Sequence, residues 1–69
     1  IRYGLTQNSN VQISIYDING KVITTLINAF QTAGYHSIKW NASKFSSSIY
    51  FLNISSGEYS ETQKLVLIK

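Results

Sequence analysis

The chain of 69 residues contains no cysteine, no proline and no methionine, and it is poor in acidic residues and histidine. Without cysteine, neither a disulfide nor a thiolate metal site can form, although this leaves the cellular compartment open. The acids are Asp17, Glu58 and Glu61, and His36 is the single histidine. These residues supply no transition-metal ligand set and no placed nucleophile with its base. We therefore expect no metal, no cofactor and no enzymatic activity.

Long apolar runs and clusters of charge are also missing. No run of about 20 apolar residues is present, so we expect no membrane-spanning segment. The net charge is +3, but the six Lys and Arg residues are scattered singly and form no stripe that would follow a phosphate backbone, which argues against nucleic-acid binding. The chain is short for a domain, and it begins at Ile1 rather than at methionine. We expect one domain, residues 1–69, of a longer precursor.

The sequence does contain six runs rich in β-branched and aromatic residues. They cover residues 1–5, 11–16, 21–28, 35–40, 49–54 and 58–68. Their centres lie about ten residues apart, which is the spacing expected of a β-sandwich or barrel. Residues 22–33 would make a poor helix, because their β-branched and aromatic side chains lose rotamer freedom there. The sequence predicts an all-β, two-sheet sandwich of six or seven short antiparallel strands.

The strongest local signal is a β-hairpin near the start of the chain. Val11, Ile13 and Ile15 alternate with polar residues, so they share one face of a half-buried strand. Asn19 and Gly20 form the pair best suited to the positive φ angles of a type I′ turn. The sequence therefore predicts a tight reversal into the strand at residues 21–28.

Two further features concern the second half of the chain. Residues 55–57 predict a second hairpin, whose return strand ends in four successive apolar residues at 65–68. Such a run places apolar side chains on both faces of a strand, so we expect this end to be interior to a sheet or docked against another surface. Trp40 shares a strand face with His36 and Ile38 and is predicted to anchor the core. We expect His36 to be packed or hydrogen-bonded rather than to act as a ligand.

Four ordered blocks of sequence resemble a known family. They are residues 11–23 (VQISIYDINGKVI), 33–43 (AGYHSIKWNAS), 47–51 (SSIYF) and 62–69 (TQKLVLIK). In this order and spacing they look like the type A C-terminal sorting domain of type IX secretion cargo proteins, which is related to the immunoglobulin-like domain of the flagellar hook-capping protein. The structural positions of the motif are Asp17, Gly20, Gly34, Trp40 and Tyr50.

The resemblance implies a sorting signal rather than a catalytic activity. It implies a small immunoglobulin-like sandwich at the end of a protein secreted by Bacteroidota, behind an N-terminal cargo domain. In that family the domain reaches the periplasm, is recognised by the outer-membrane type IX machinery and is commonly removed by a sortase-like protease, and the cargo is secreted or held at the cell surface. Ser48 departs from the family pattern, which usually has glycine there, and Thr6 stands where a proline often follows the first strand. If that glycine serves a positive-φ bend, Ser48 strains the loop.

Recognition is expected in the last six residues. An accessible strand edge can be read by main-chain pairing, with aliphatic side chains filling pockets and lysines supplying charge. The alternative for each aliphatic residue is that it simply belongs to the core. The predicted recognition residues are Lys64, Leu65, Val66, Leu67, Ile68 and Lys69.

Two other functions stay open on the sequence alone. Nine aromatic residues on a small sandwich form the flat platform of a carbohydrate-binding module if two or three of them are exposed and coplanar. The third possibility is a structural immunoglobulin-like module of a secreted enzyme or assembly. A spacer of that kind tolerates extra residues after Lys69, whereas a terminal sorting signal does not.

Overall fold

The computed structural model describes residues 2–57 and 59–69. The strands are β1 Arg2–Leu5, β2 Ser9–Tyr16, β3 Val22–Gln31, β4 Gly34–Ser37, β5 Ser48–Ser56 and β6 Tyr59–Leu67. They form a two-stranded sheet, β1-β4, and a four-stranded sheet in the order β3-β2-β5-β6, and every pairing is antiparallel. The prediction of an all-β, two-sheet fold is confirmed, with six strands in the described residues. No helix in this part of the chain is long and apolar enough to cross a membrane.

The core is built mainly from the two central strands. Val11, Ile13 and Ile15 are at most 1% exposed, as their alternation along β2 predicts. Across the pairing with β5, Ile15 faces Leu52 and Ile13 faces Ile54. Burying each such aliphatic side chain stabilises the fold by about 1.5–3 kcal/mol. The remaining buried apolar residues are Tyr3 and Tyr50, and Tyr3 is the contribution of the small sheet.

Strand β3 departs from simple alternation because it carries two irregularities in its pairing with β2. The register shifts between Ile13 and Ser14 and again between Ile15 and Tyr16. Each shift inserts one extra residue on the β3 side, as in a β-bulge, and changes which face the following residues occupy. As a result Ile23, Leu26 and Ile27 all pack against the core, although no single face of a regular strand contains them.

The first hairpin is present, but the prediction of a type I′ turn is wrong. That turn needs positive φ at two residues, and Gly20 alone in it has one, at +82°. The Gly20 amide donates to the Asp17 carbonyl at 3.0 Å, the pattern of a type I turn followed by a left-handed glycine. The Asp17 carboxylate Oδ1 accepts the amides of Asn19 and Lys21 at 2.9 and 3.0 Å. This side-chain capping stabilises the longer loop and explains an aspartate at its first position.

Two predictions about the second half need correction. Strand β4 ends at Ser37, so Trp40 lies in the irregular segment at residues 38–47, here named the 38–47 loop. Strand β6 is the edge of the four-stranded sheet, so the first alternative for this end, a position interior to a sheet, is wrong. The order of strands depends on which hairpins meet in space, and an apolar run does not specify it.

Ser48 is accommodated without strain. It is the first residue of β5 and pairs with Leu67 of β6. Positive φ angles occur only at glycines in the described residues, so Ser48 has an ordinary backbone conformation. The bend that would require glycine at this position is absent from this chain.

Candidate recognition surface

The hairpin formed by β5 and β6 determines where the side chains of residues 64–67 point. Leu65 pairs with Tyr50, whose side chain is buried, while Val66 pairs with Ile49. Paired residues in an antiparallel sheet lie on the same face. Leu65 and Leu67 therefore face inward and pack against the core, whereas Lys64 and Val66 occupy the opposite face.

The aliphatic residues of the predicted signal thus divide into two groups. Leu65 and Leu67 are half-buried core residues, which is the alternative that the sequence left open for each of them. Val66 and Ile68 are 62% and 83% exposed. Val66 on the edge strand and Ile68 just beyond it therefore bury little of their surface in the fold and remain open to solvent.

An aromatic cluster organises the 38–47 loop beside this strand. The ring centroid of Trp40 lies 5.5 Å from that of Phe45 and 5.3 Å from that of Tyr50, and Phe45 and Tyr50 are 6.4 Å apart. The Tyr50 hydroxyl donates to the Ser46 carbonyl at 2.7 Å. The two pairs that involve Tyr50 meet edge to face, and such pairs add about 0.5–1.5 kcal/mol each to the burial of their surface. Trp40 does pack against the core, but it does so from a loop.

Lys69 joins the end of the segment to the same loop. Its backbone amide donates to Ser47 Oγ at 2.9 Å, and its Nζ donates to the Ser43 carbonyl at 2.8 Å. Sequence reasoning missed Ser43 and Ser47, because a serine-rich stretch signals only a turn and nothing in one sequence pairs it with a lysine more than 20 residues away. The two bonds hold the positions after β6 against the loop.

A groove lies between the loop and the edge strand. Its volume is about 460 Å³, and we refer to it below as the terminal groove. One wall comes from Ile38, Lys39, Trp40 and Ala42, and the other from Leu65, Val66 and Leu67. The residues of the second wall belong to the segment in which the sequence predicts recognition, whereas Trp40 alone of the first wall stands out in the sequence, because only the fold brings these segments together.

The structural motif positions are distributed over the molecule rather than gathered at this groove. Asp17 and Gly20 lie in the turn between β2 and β3, and Gly34 begins β4, where it pairs with Leu5. Only Trp40 and Tyr50 belong to the aromatic cluster next to the groove. No group of three or more potential metal ligands occurs in residues 2–57 and 59–69.

His36 has a packing role. Its ring stacks on that of Tyr3 with centroids 5.4 Å apart, and its Nε2 lies 2.7 Å from the Thr32 carbonyl. The prediction of a packed, hydrogen-bonded histidine is confirmed. The Tyr3 hydroxyl in turn donates to Gln31 Oε1, and burial raises the pKa of Tyr3.

The exposed aromatic residues do not form a platform. Phe30, Tyr35 and Tyr59 are the exposed aromatic side chains of the described residues, and they lie on β3, β4 and β6. Strands β3 and β6 are opposite edges of the larger sheet, about 14 Å apart across three strand spacings, and β4 belongs to the other sheet. Phe30 pairs with Asn10, whereas Tyr59 pairs with Ser56 and so shares the face of the adjacent Val11. Phe30 and Tyr59 therefore lie on opposite faces of the larger sheet and do not form the flat surface that the carbohydrate-binding hypothesis requires. The Tyr59 hydroxyl donates to Glu61, which raises the pKa of Tyr59.

Comparison with known families gives one match. A family described as the secretion system C-terminal sorting domain matches residues 1–69, the whole chain. Searches of curated proteins and of solved structures give no significant match. The family match spans both walls of the terminal groove and all four blocks on which the resemblance depends.

Proposed function

Because the chain belongs to the family of secretion system C-terminal sorting domains, we propose that it directs an N-terminal cargo domain through the periplasm and then across the outer membrane. The family is that of type IX secretion signals of Bacteroidota, it is not a catalytic family, and it implies export of the cargo to the cell surface or beyond. Residues 1–69 act as one terminal module of a longer precursor. A sortase-like protease removes the module after export.

One observation carries the assignment of the signal to residues 64–69. Val66 and Ile68 are strongly exposed, on and just beyond an edge strand, between Lys64 and Lys69. Natural proteins usually protect a sheet edge by charge, by a bulge or by covering it, because an open edge pairs readily with other chains. Here the polar protection covers the first half of β6 and stops where the aliphatic residues begin. This arrangement supports recognition by a partner at that end of the strand.

The experiment that tests the function is export of a reporter. Residues 1–69 are fused behind a fluorescent protein that carries an export signal, in a Bacteroidota host with an active type IX system. We expect the reporter in the medium or on the cell surface with the intact chain, and in the periplasm when residues 64–69 are deleted. Leu65 and Leu67 pack on the core, so the deleted version needs a check of its folding by circular dichroism.

Each outcome separates the candidate functions. Periplasmic retention of both fusions contradicts the sorting function and favours a structural spacer. Export of both fusions places the signal outside residues 64–69. Comparison of the exported reporter's mass in strains with and without the sortase-like protease tests removal of the module, since only cleavage shortens the product by the mass of the domain.

A further inference from the structure

The edge of β6 is available for a further strand. Within the described residues β6 pairs with β5 alone, through nine residue pairs from Ser48↔Leu67 to Ser56↔Tyr59. A strand paired on one side presents its other row of N–H and C=O groups outward. Extended peptides bind such edges by main-chain hydrogen bonds, and side-chain pockets beside the edge provide the selectivity.

The terminal groove supplies the apolar pocket beside this edge. Ile38, Trp40 and Ala42 form its far wall, and Leu65 and Leu67 form the wall on the strand itself. The far wall is held in place by the ring contacts of Trp40, tilted against Phe45 and edge to face with Tyr50. A wall that is already ordered reduces the entropy lost when an extended segment binds.

The fold gathers positive charge around the groove. The 38–47 loop and residues 64–69 together contain Lys39, Lys44, Lys64 and Lys69, which are four of the chain's six basic residues, and they contain no acid. Lys39 lines the groove and the Lys69 Nζ lies 2.8 Å from the Ser43 carbonyl of the loop, whereas Lys64 is on the outer face of β6. The acid nearest to this region along β6 is Glu61, which accepts a hydrogen bond from Tyr59. An acidic partner is the electrostatic complement of this surface.

We propose that the terminal groove and the β6 edge bind an extended strand of a partner protein in which acidic residues alternate with aliphatic ones. The main chain of that strand pairs with β6 and its aliphatic side chains enter the groove, so its carboxylates lie on the opposite face, beside Lys64. The proposal rests on the sorting function and adds to it the chemistry of the partner. It also means that the partner binds a folded surface made by the β5–β6 hairpin and the 38–47 loop, and does not bind residues 64–69 as a linear peptide.

Trp40 makes the binding measurable, since it is the chain's single tryptophan. The probes are synthetic peptides of about nine residues, the length of a typical paired strand: one alternates glutamate with valine, one lysine with valine, and one glutamate with serine. We expect the glutamate–valine peptide to change the Trp40 emission and to bind at least about tenfold more tightly than the other two. Equal binding of the lysine–valine peptide overturns the charge complementarity, and equal binding of the glutamate–serine peptide overturns the role of the apolar groove.

Charge reversal provides the matched test on the protein side. The variant Lys64→Glu should weaken binding of the glutamate–valine peptide about fivefold or more, because its carboxylate repels those of the peptide. The control Lys21→Glu makes the same change in net charge at an exposed position next to the turn between β2 and β3, outside both β6 and the groove, and it should change the affinity by less than about twofold. Equal weakening by both variants overturns the proposal, because the effect is then one of net charge alone.

A second copy of the chain or a lipid surface at the β6 edge would each give a different experimental result. A dimer in sedimentation equilibrium that the glutamate–valine peptide fails to dissociate identifies a second copy at the edge and overturns the proposal. Binding to anionic phospholipid vesicles without binding to the peptide does the same in favour of a membrane surface. Export of the reporter tests the function separately: normal export with no peptide binding removes this inference and leaves the sorting function in place.

Discussion

Strands β5 and β6 are the two arms of one hairpin and have nine residues each, yet they differ in almost every other respect. In β5 the side chains of Tyr50, Leu52 and Ile54 are buried in strict alternation. In β6 no residue is fully buried, and only Leu65 and Leu67 reach the core. Strand β5 therefore contributes to the core along its length, whereas most side chains of β6 are exposed.

The physical reason lies in the neighbours of each strand. Strand β5 has β2 on one side and β6 on the other, so each of its inward side chains has neighbours from a strand on both sides. On β6 the inward positions near the turn are Glu61 and Gln63, which pair with Ile54 and Leu52 and shield the sheet edge with polar side chains. The difference teaches that the apolar ending of the chain serves the core in only half of its residues. The other half, Val66 and Ile68, is exposed to solvent.

The largest expected difference between the two strands is in stability. Leu52→Ala removes a side chain with no exposed surface and leaves a cavity, so it should lower the free energy of unfolding by about 2–5 kcal/mol. Val66→Ala on the neighbouring strand should lower it by less than about 0.5 kcal/mol. Urea denaturation followed by circular dichroism measures both values. Similar losses for the two variants would show that β6 carries as much of the core as β5.

The second-largest loss of stability is expected at Gly57, in the turn that joins β5 to β6. Gly57 has φ +61°, and a Cβ atom placed on it meets no atom within 4 Å. Gly57→Ala should therefore cost about 1–2 kcal/mol through backbone strain alone. Gly57→Asn should cost less, because asparagine tolerates this left-handed conformation better. Thermal denaturation of both variants checks the ranking, and an alanine variant as stable as the parent would mean that the hairpin adopts another turn.

The smallest expected effect comes from the hydrogen bond that joins the two sheets, from Tyr3 on β1 to Gln31 on β3. Tyr3→Phe removes the hydrogen bond to Gln31 and should lower the free energy of unfolding by about 1 kcal/mol at neutral pH. Burial raises the pKa of Tyr3, so the unfolded chain loses this proton first as the pH rises above about 10. The parent should therefore lose stability in that range, and the variant should lose less. Tyr59, whose pKa is also raised, is present in both proteins and does not affect the difference.

The alternation of apolar and polar residues predicts those parts of the fold that depend on a single strand. Val11, Ile13 and Ile15 are buried together because an antiparallel strand with one buried face has a period of two. The spacing of Trp40 from Ile38 continues the alternation and predicts a strand, but the strand ends at Ser37 and a tilted ring contact with Phe45 positions the indole instead. The turn at Asp17 differs from the expected type because a carboxylate that accepts two backbone amides stabilises a longer loop.

The candidate site could be predicted only in part. Residues 64–69 stand out in the sequence, but the division of Leu65 from Val66 follows from the pairing of β6 with Tyr50 and Ile49. The far wall of the terminal groove and the serine contacts of Lys69 join segments more than 20 residues apart. A single sequence carries no signal for such pairings, because they depend on the order of strands in the sheet.

The most direct test of the central claim is export of the reporter with changes confined to exposed aliphatic residues. Val66→Ser/Ile68→Ser alters the proposed recognition surface, and Ile18→Ser/Val22→Ser is its control, at positions 63% and 50% exposed around the first hairpin. Both variants should stay folded, since neither pair belongs to the core. We expect the first variant to export about tenfold less reporter than the parent and the control to export normally. Equal export by the two variants would contradict the claim that the β6 edge is what the secretion machinery reads.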